Sequence, residues 1–146
     1  MNEHRGVGLR HHGNVAAQMT CPFCELTGSE TVAEIGPCLA IWTNESPAGS
    51  VMVLPKAHRR APWDLTTEEW SATEELLKVL ADRLRSTHQP DGWNVGWNVG
   101  RVGGQSVDHV HCHLLPRYRH ERYAGRGLRW WFKQPENEVP TGLKTD

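Results

Sequence analysis

The sequence lacks several features that would point to large classes of protein. It has no apolar run near the ~18 residues that a transmembrane helix needs. It has no marked excess of charge, because 16 Lys and Arg face 17 Asp and Glu and leave a net charge of -1. A protein that holds nucleic acid or an anionic membrane through bulk positive charge carries a clear excess of Lys and Arg. We therefore expect neither a nucleic acid nor a membrane as a partner.

An export signal is also missing, since the first 20 residues contain no apolar stretch of the kind found in signal peptides. Residues 1–18 form a polar tail that we expect to be flexible, and Met19 is an alternative start. We expect a cytoplasmic protein whose 4 cysteines are reduced. Cys38 and Cys112 are then interpreted as small apolar residues.

What the chain does contain is typical of one globular domain. Its 146 residues are 38% hydrophobic and 23% charged, which excludes disorder for most of the chain. Trp is abundant, with 7 residues against 2 Phe and 2 Tyr, and there are 9 His and 14 Gly. We expect residues 19–117 to form the domain and residues 118–146 to form an extension.

The first half of the domain predicts short strands followed by one long helix. Short apolar runs predict strands at 32–35, 39–42 and 50–54, the third of them central and buried. Thr66 with a Glu three residues later forms a capping-box pattern, and apolar residues then recur at helical spacing. A helix over residues 66–86 that packs on a sheet is therefore predicted.

The second half predicts a hairpin. Residues 93–100, WNVGWNVG, alternate between large apolar residues and Asn or Gly, so the two kinds should point to opposite faces of a strand. A short Gly-rich turn leads to a second strand over residues 107–115.

Three histidines alternate along this last predicted strand. His109, His111 and His113 should share one face, while the residues between them enter the core. Three imidazoles placed in this way can chelate a metal or surround a phosphate.

The segment before the histidines favours phosphate. Gly103, Gly104, Gln105 and Ser106 place a flexible backbone and two polar side chains beside the imidazoles. Successive N–H groups in such a turn bind anions, and the amide and hydroxyl groups can donate to phosphate oxygens. Asn98, on the outward face of the preceding strand, adds a further donor.

Residues 98–117, NVGRVGGQSVDHVHCHLLPR, resemble the signature of the histidine-triad (HIT) family, whose motif is His-x-His-x-His with mostly apolar x. The resemblance, which covers about residues 21–117, implies an α+β fold in which one long helix packs on an antiparallel sheet of about five strands. It implies a homodimer and a nucleotide substrate, most often a purine nucleoside phosphate. The implied reaction is hydrolysis at the α-phosphate of a dinucleoside polyphosphate or nucleoside phosphoramidate. A nucleotidyltransferase and a nucleotide-binding regulatory module with weak turnover are the alternatives.

The resemblance also assigns roles to the histidines and the serine. His111 is the implied nucleophile, and it forms a covalent nucleotidyl-histidine intermediate. His113 would bind phosphate oxygens, His109 would orient the site or bind a metal, and Ser106 would lie near the leaving group.

The remaining implied contacts are with the nucleotide. Asn98 and Gln105 would help to hold the developing charge. Asn44, in the loop after the second strand, is the candidate for the ribose. The chain departs from the family at Ser50, where the family has a histidine.

Cys21 and Cys24 form a half-site that suits zinc, although a thioredoxin-like redox pair has the same spacing. No βαβ pattern follows the pair. The resemblance to zinc-binding HIT members completes a ligand set with His58 and His109, which implies a structural zinc. The alternative is that the cysteines are ordinary thiols.

The extension is basic and aromatic. Its Trp130, Trp131 and neighbouring arginines could stack a base across a dimer, but packing on the domain or on a dimer partner is favoured. The nearby Arg117 and Arg119 could help to steer an anionic substrate.

Overall fold

The computed structural model describes residues 20–138, so the predicted tail 1–18 and Met19 lie outside the described residues. Five strands form one antiparallel sheet in the order β1-β2-β3-β5-β4. The strands are β1 (Thr31–Ile35), β2 (Cys38–Trp42), β3 (Val51–Pro55), β4 (Gly92–Trp97) and β5 (Cys112–Arg117). The predicted α+β class and five-stranded sheet are confirmed, with β3 at the centre as expected.

Helix α1 (Thr67–His88) begins where the capping-box pattern predicts. The Thr66 hydroxyl accepts a hydrogen bond from the Glu69 amide, and the Glu69 carboxylate accepts one from the Thr66 amide. Glu69 is buried and paired with Arg59. Burial alone would raise the pKa of Glu69, but the hydrogen bonds and the positive charge of Arg59 hold it below its ordinary value.

The helix packs against one face of the sheet. Its buried residues Leu76, Leu80 and Leu84 meet Val53 of β3 and Leu114 of β5 in one hydrophobic cluster. Burial raises the pKa of the Cys112 thiol in this cluster to about 12, so Cys112 behaves as the small apolar residue that the sequence predicts.

The last two strands are shorter than predicted. β4 ends at Trp97 and β5 begins at Cys112, so residues 98–111 form the connection and the Gly-rich turn is only its first part. The prediction that His109, His111 and His113 alternate on one strand is therefore wrong, because only His113 lies in β5. The loop is held away from the sheet by the hydrogen bond from the Val110 amide to the Arg59 carbonyl, 2.7 Å long.

The strand alternation predicted for WNVGWNVG is confirmed in part. Trp93 and Trp97 pack on the core, while Asn94, Gly96 and Asn98 line a cleft. Val95, expected on the core face, is instead 54% exposed and lines the cleft, as does Trp97, and Asn98 lies just beyond the end of β4. The C-terminal segment, which we define as residues 118–138, reaches this cleft.

The C-terminal segment contains α2 (Leu128–Phe132) and a 3-10 turn (Pro135–Asn137). Two further 3-10 turns, Gly28–Glu30 and Pro62–Asp64, precede β1 and α1. Within residues 20–138, no helix is both long and apolar enough to cross a membrane.

Candidate functional site

His111 lies immediately before β5 and is almost completely buried. Its Nδ1 is 2.8 Å from the carbonyl oxygen of His109. A carbonyl can only accept, so Nδ1 must carry the proton and donate. The neutral ring then has a lone pair at Nε2, which makes Nε2 available as a nucleophile.

His113 lies beside His111, with the two ring centroids 4.9 Å apart. Its Nε2 is buried and has no hydrogen-bond partner among residues 20–138. Burial lowers the pKa of His113, and charge on His111 acts in the same direction, while Glu45 opposes both. A buried polar atom without a partner costs stability, so this nitrogen is suited to meeting a ligand.

The turn before the histidines is tightly built. An added Cβ at Gly103 would lie 2.2 Å from the carbonyl oxygen of Val99, and Gly104 has a φ of +91° and lies against the Asn98 side chain. Both positions therefore require glycine. The turn places Ser106 in an exposed position just ahead of the histidines.

Gln105 holds this turn to the rest of the domain. Its Nε2 donates to the Arg60 carbonyl at 3.0 Å, and its Oε1 accepts from the Gly100 amide at 2.8 Å. Both ends of the amide are thus used within the chain, which the sequence pattern did not indicate. A contact between Gln105 and the nucleotide stays a prediction.

A cleft of about 400 Å³ opens beside His113 on the face of the sheet opposite α1. Asn98 and His113 line it, as the sequence analysis expects of nucleotide-binding residues. From the loop between β2 and β3, Glu45 lines the cleft. The exposed neighbour Asn44 is not among the lining residues, and its contact with a ribose stays a prediction.

The C-terminal segment forms the outer wall of the same cleft through Arg126 and Trp131. Packing on the domain or on a dimer partner is the role that the sequence predicts for Trp130 and Trp131. No local pattern placed Arg126 or Trp131 beside His113, because the contact joins distant parts of the chain.

Arg117 holds the C-terminal segment in place. Its guanidinium donates to the Asn94 side chain, to the carbonyls of Tyr123 and Arg126, and to the Glu121 carboxylate. Arg117 lines the cleft, but its donors are occupied within the chain, so its contribution to steering an anionic substrate stays a prediction.

Arg119 is also engaged within the chain, because its guanidinium pairs with Asp91. Ser50, which stands where the family has a histidine, is buried, and its hydroxyl donates to the Pro47 carbonyl. Ser50 thus closes the loop between β2 and β3 rather than extending the histidine cluster.

A second cluster brings together Cys21, Cys24, His58 and His109, whose ligand atoms all lie within 4.8 Å of one another. His109 Nδ1 is 3.5 Å from Cys21 Sγ and 3.6 Å from Cys24 Sγ, and His58 Nδ1 is 3.4 Å from Cys24 Sγ. The four residues that the resemblance implied therefore form a group that could hold a metal ion.

The spacing of this cluster fits zinc. Zinc bound at about 2.3 Å to sulfur and about 2.0 Å to nitrogen, with tetrahedral angles, separates those ligand atoms by about 3.6 Å. The Nε2 of His109 donates to the Pro55 carbonyl at 2.8 Å, so its Nδ1 presents a lone pair to the sulfurs. Burial keeps the pKa of His109 below its ordinary value, which favours the neutral ring that a metal requires.

Phe23 connects the two clusters. Its ring packs edge-to-face on His109 and His111, with centroid distances of 5.8 and 5.2 Å. No local pattern predicts this contact, although the sequence places the phenylalanine between two candidate metal ligands, Cys21 and Cys24. His109 thus bridges the sites, since its ring faces the cysteines while its carbonyl orients His111.

Comparisons with known proteins agree with this architecture. Adenosine 5'-monophosphoramidase HNT1 of Candida albicans is 29% identical over 125 residues, which are 80% of this chain and 81% of that protein. Adenosine 5'-monophosphoramidase hnt1 of Schizosaccharomyces pombe is 31% identical over 118 residues, which are 77% and 84% of the two chains. A crystal structure of a HIT family protein from Bacillus anthracis superimposes with a TM-score of 0.68 at 29% identity and covers 85% of this chain and 89% of its own.

The family model described as HIT domain matches residues 28–120, a range that includes all five strands, the long helix and the three histidines. With this match over most of the described chain, the protein belongs to the histidine-triad (HIT) family.

Proposed function

We propose that the protein is a hydrolase that cleaves the bond between the α-phosphorus of a purine nucleotide and its leaving group. A nucleoside phosphoramidate is the first substrate to test, because two relatives are named as adenosine 5'-monophosphoramidases. The observation that carries the proposal is that two adjacent imidazoles each have an Nε2 that is free within residues 20–138, one suited to attack phosphorus and the other to bind a phosphate oxygen. His111 has a lone pair at Nε2, and the adjacent His113 has a buried Nε2 that needs a ligand.

The proposed reaction has two steps. His111 Nε2 attacks the α-phosphorus, the bond to the leaving nitrogen breaks, and a nucleotidyl-histidine forms. Water then attacks the same phosphorus, which releases the nucleoside monophosphate and restores the lone pair on His111. Neither of these two reaction steps requires a metal.

The neighbouring groups would stabilise the transferred phosphate. His113, with its proton on Nε2, would donate to a phosphate oxygen, and the Asn98 amide would add a second hydrogen bond. The exposed Ser106 hydroxyl would donate to the leaving atom. Each of these groups would act at a charge that grows in the transition state, where such donors are worth most.

A structural zinc at Cys21, Cys24, His58 and His109 is proposed on the fit of the four ligand atoms. With four protein ligands the ion has no open position, so it would tie the N-terminal segment to the loop that carries His111. The thiolates of such a site are stable in a reducing compartment, which supports the cytoplasm as the location.

A homodimer is proposed on the exposed edge of the sheet. β4 is an edge strand, and Val95 at its centre is 54% exposed. Such an edge can pair with the same strand of a second copy. Light scattering after gel filtration tests this directly, and a monomer at micromolar concentration would contradict it.

The test of the reaction uses adenosine 5'-phosphoramidate and follows the release of AMP by chromatography. His111→Ala should lower kcat by about a thousandfold or more, because no other group replaces the attacking nitrogen. His120→Ala is the matched control, since His120 is exposed and lies outside the cleft.

Mass spectrometry of wild-type reactions stopped rapidly in alkaline denaturant, which preserves a phosphorus–nitrogen bond, should detect an adenylyl group on the chain, and His111→Ala should not show it. A wild-type protein that releases no AMP, or a His111→Ala variant that retains a tenth of the activity, would refute the proposal.

A further inference from the structure

The outer wall of the cleft carries a cation, Arg126, that stacks on aromatic rings. The Arg126 guanidinium carbon lies 4.2 Å from the Trp130 ring centroid and 5.3 Å from that of Tyr123. Within residues 20–138, no carboxylate forms an ion pair with Arg126, and Glu45 on the facing loop does not reach it. Stacking on aromatic rings orients a guanidinium and leaves its N–H edge available to an anion.

The position of Arg126 follows from its anchor on the sheet. Arg117 bonds both to the Arg126 carbonyl and to the Asn94 side chain, and Asn94 pairs in register with Leu115. Leu115 is two residues beyond His113, a step of roughly 7 Å along a strand. The Arg126 backbone therefore lies past His113, on the side away from His111.

This separation decides which part of a substrate Arg126 could meet. In the proposed reaction, the transferred nucleotidyl group has one phosphate, which is held at His111 and His113, and its ribose and base are neutral. Any further phosphate belongs to the leaving group. A cation beyond His113 with no acidic partner among the described residues therefore suits a phosphate of the leaving group.

Other features of the cleft suit the nucleoside part of a leaving group that carries a phosphate. The cleft volume of about 400 Å³ is in the range that holds a nucleotide-sized ligand. Trp131 is 46% exposed and lines the cleft, so its ring offers a stacking surface for a base.

We propose that Arg126 and Trp131 form a leaving-group subsite through which this chain selects a nucleoside phosphate as the group displaced from the α-phosphorus. The inference rests on the nucleotidyl-transfer reaction proposed above. His111 Nε2 forms the new bond to phosphorus, the bridging P–O bond breaks, and its electron pair leaves with the departing phosphate oxygen. Arg126 stabilises the negative charge of that departing phosphate, and water then releases the transferred nucleotide from His111.

The experiment compares two substrates that share the transferred AMP group and differ in the leaving group. Diadenosine triphosphate loses ADP, whereas adenosine 5'-phosphoramidate loses ammonia. The quantity measured is the ratio of the two kcat/KM values. Arg126→Met should lower the ratio of diadenosine triphosphate to phosphoramidate by about 10- to 100-fold, the effect of one charge-assisted hydrogen bond.

Two further variants complete the design. Trp131→Ala should lower the same ratio by about tenfold through the loss of stacking. Arg122→Met is the matched control, because Arg122 also stacks on Tyr123, at 5.7 Å, but does not line the cleft. Its ratio should stay within about twofold of wild type.

The outcomes separate this inference from the function on which it rests. If Arg126→Met lowers both kcat/KM values equally, Arg126 contacts the transferred nucleotide and the inference is wrong. An unchanged ratio overturns it as well. If the wild type cleaves neither substrate, the proposed reaction fails, and a titration with ADP followed by tryptophan fluorescence still tests the subsite. In that case the subsite is supported only if Arg126→Met raises the Kd for ADP at least tenfold and Arg122→Met does not.

Discussion

Replacing Arg117 by methionine should release the C-terminal segment from the sheet while the rest of the domain stays folded. The Arg117 side chain is 20% exposed and donates to two backbone carbonyls, one amide oxygen and one carboxylate. Methionine keeps most of the aliphatic packing but removes every donor. A carbonyl that loses its partner recovers part of the loss by binding water, so the four contacts do not add.

We expect a net loss of about 2–3 kcal/mol in the free energy that holds the segment closed. This loss raises the open population by about 30- to 150-fold. Hydrogen exchange measures it at the amides of Ala124, Arg126 and Trp130, which donate within the segment. Their protection should fall by this factor, while the amides of α1 keep theirs.

The matched control is Arg119→Met, which removes an ion pair whose arginine is largely exposed. Surface pairs of this kind contribute at most about 1 kcal/mol, so protection of the segment should change little. Equal losses of protection in the two variants, or none in Arg117→Met, would show that Arg117 does not hold the segment. The anchoring of Arg126 beside the cleft by Arg117 would then be contradicted.

Three other predictions concern the metal cluster, the helix cap and the Gly-rich turn. The purified protein should contain about one zinc per chain, which elemental analysis measures. The double variant Cys21→Ser with Cys24→Ser should lose the metal and have a lower Tm by calorimetry, because metal binding adds to the folding free energy. A wild-type protein without metal, or a double variant with an unchanged Tm, would contradict the site. Glu69→Gln should be less stable than wild type by about 1–3 kcal/mol near neutral pH. Because the pKa of Glu69 is lowered in the folded state, this difference is present above the ordinary carboxyl pKa and should shrink as the pH falls below it, which urea unfolding at a series of pH values measures. Gly103→Ala should lower the Tm and the AMP-releasing activity because its Cβ would lie 2.2 Å from a backbone carbonyl, whereas Gly92→Ala, where nothing lies within 4 Å, should leave the Tm nearly unchanged.

Local sequence patterns predicted most of the secondary structure. The capping box at Thr66 placed the start of α1, because both of its hydrogen bonds join residues three apart. Alternating residues in WNVGWNVG predicted that Trp93 and Trp97 of β4 face the core, because side chains along a strand point to opposite faces, but not that Val95 is exposed. The HIT resemblance then implied the order of roles among the three histidines, as well as the pairing of the two cysteines with His58 and His109.

Contacts between distant segments decided what these patterns could not. His109 and His111 leave the strand because Arg59, about fifty residues earlier, accepts the hydrogen bond of Val110. The pattern of alternating histidines is the same whether or not that bond forms, so the sequence predicted a longer strand.

The tertiary structure likewise decided the different surroundings of the Arg117 and Arg126 guanidinium groups. Arg117 ends the segment that resembles the HIT signature and Arg126 lies in the extension, but no sequence pattern shows which of the two is held by acceptors within the chain. Arg117 is surrounded by acceptors from β4 and the C-terminal segment, while Arg126 is stacked between aromatic rings and has no acidic partner in the described part of the chain. Whether an arginine is a structural anchor or an available cation depends on which acceptors the fold brings within reach, and those acceptors come from other parts of the chain.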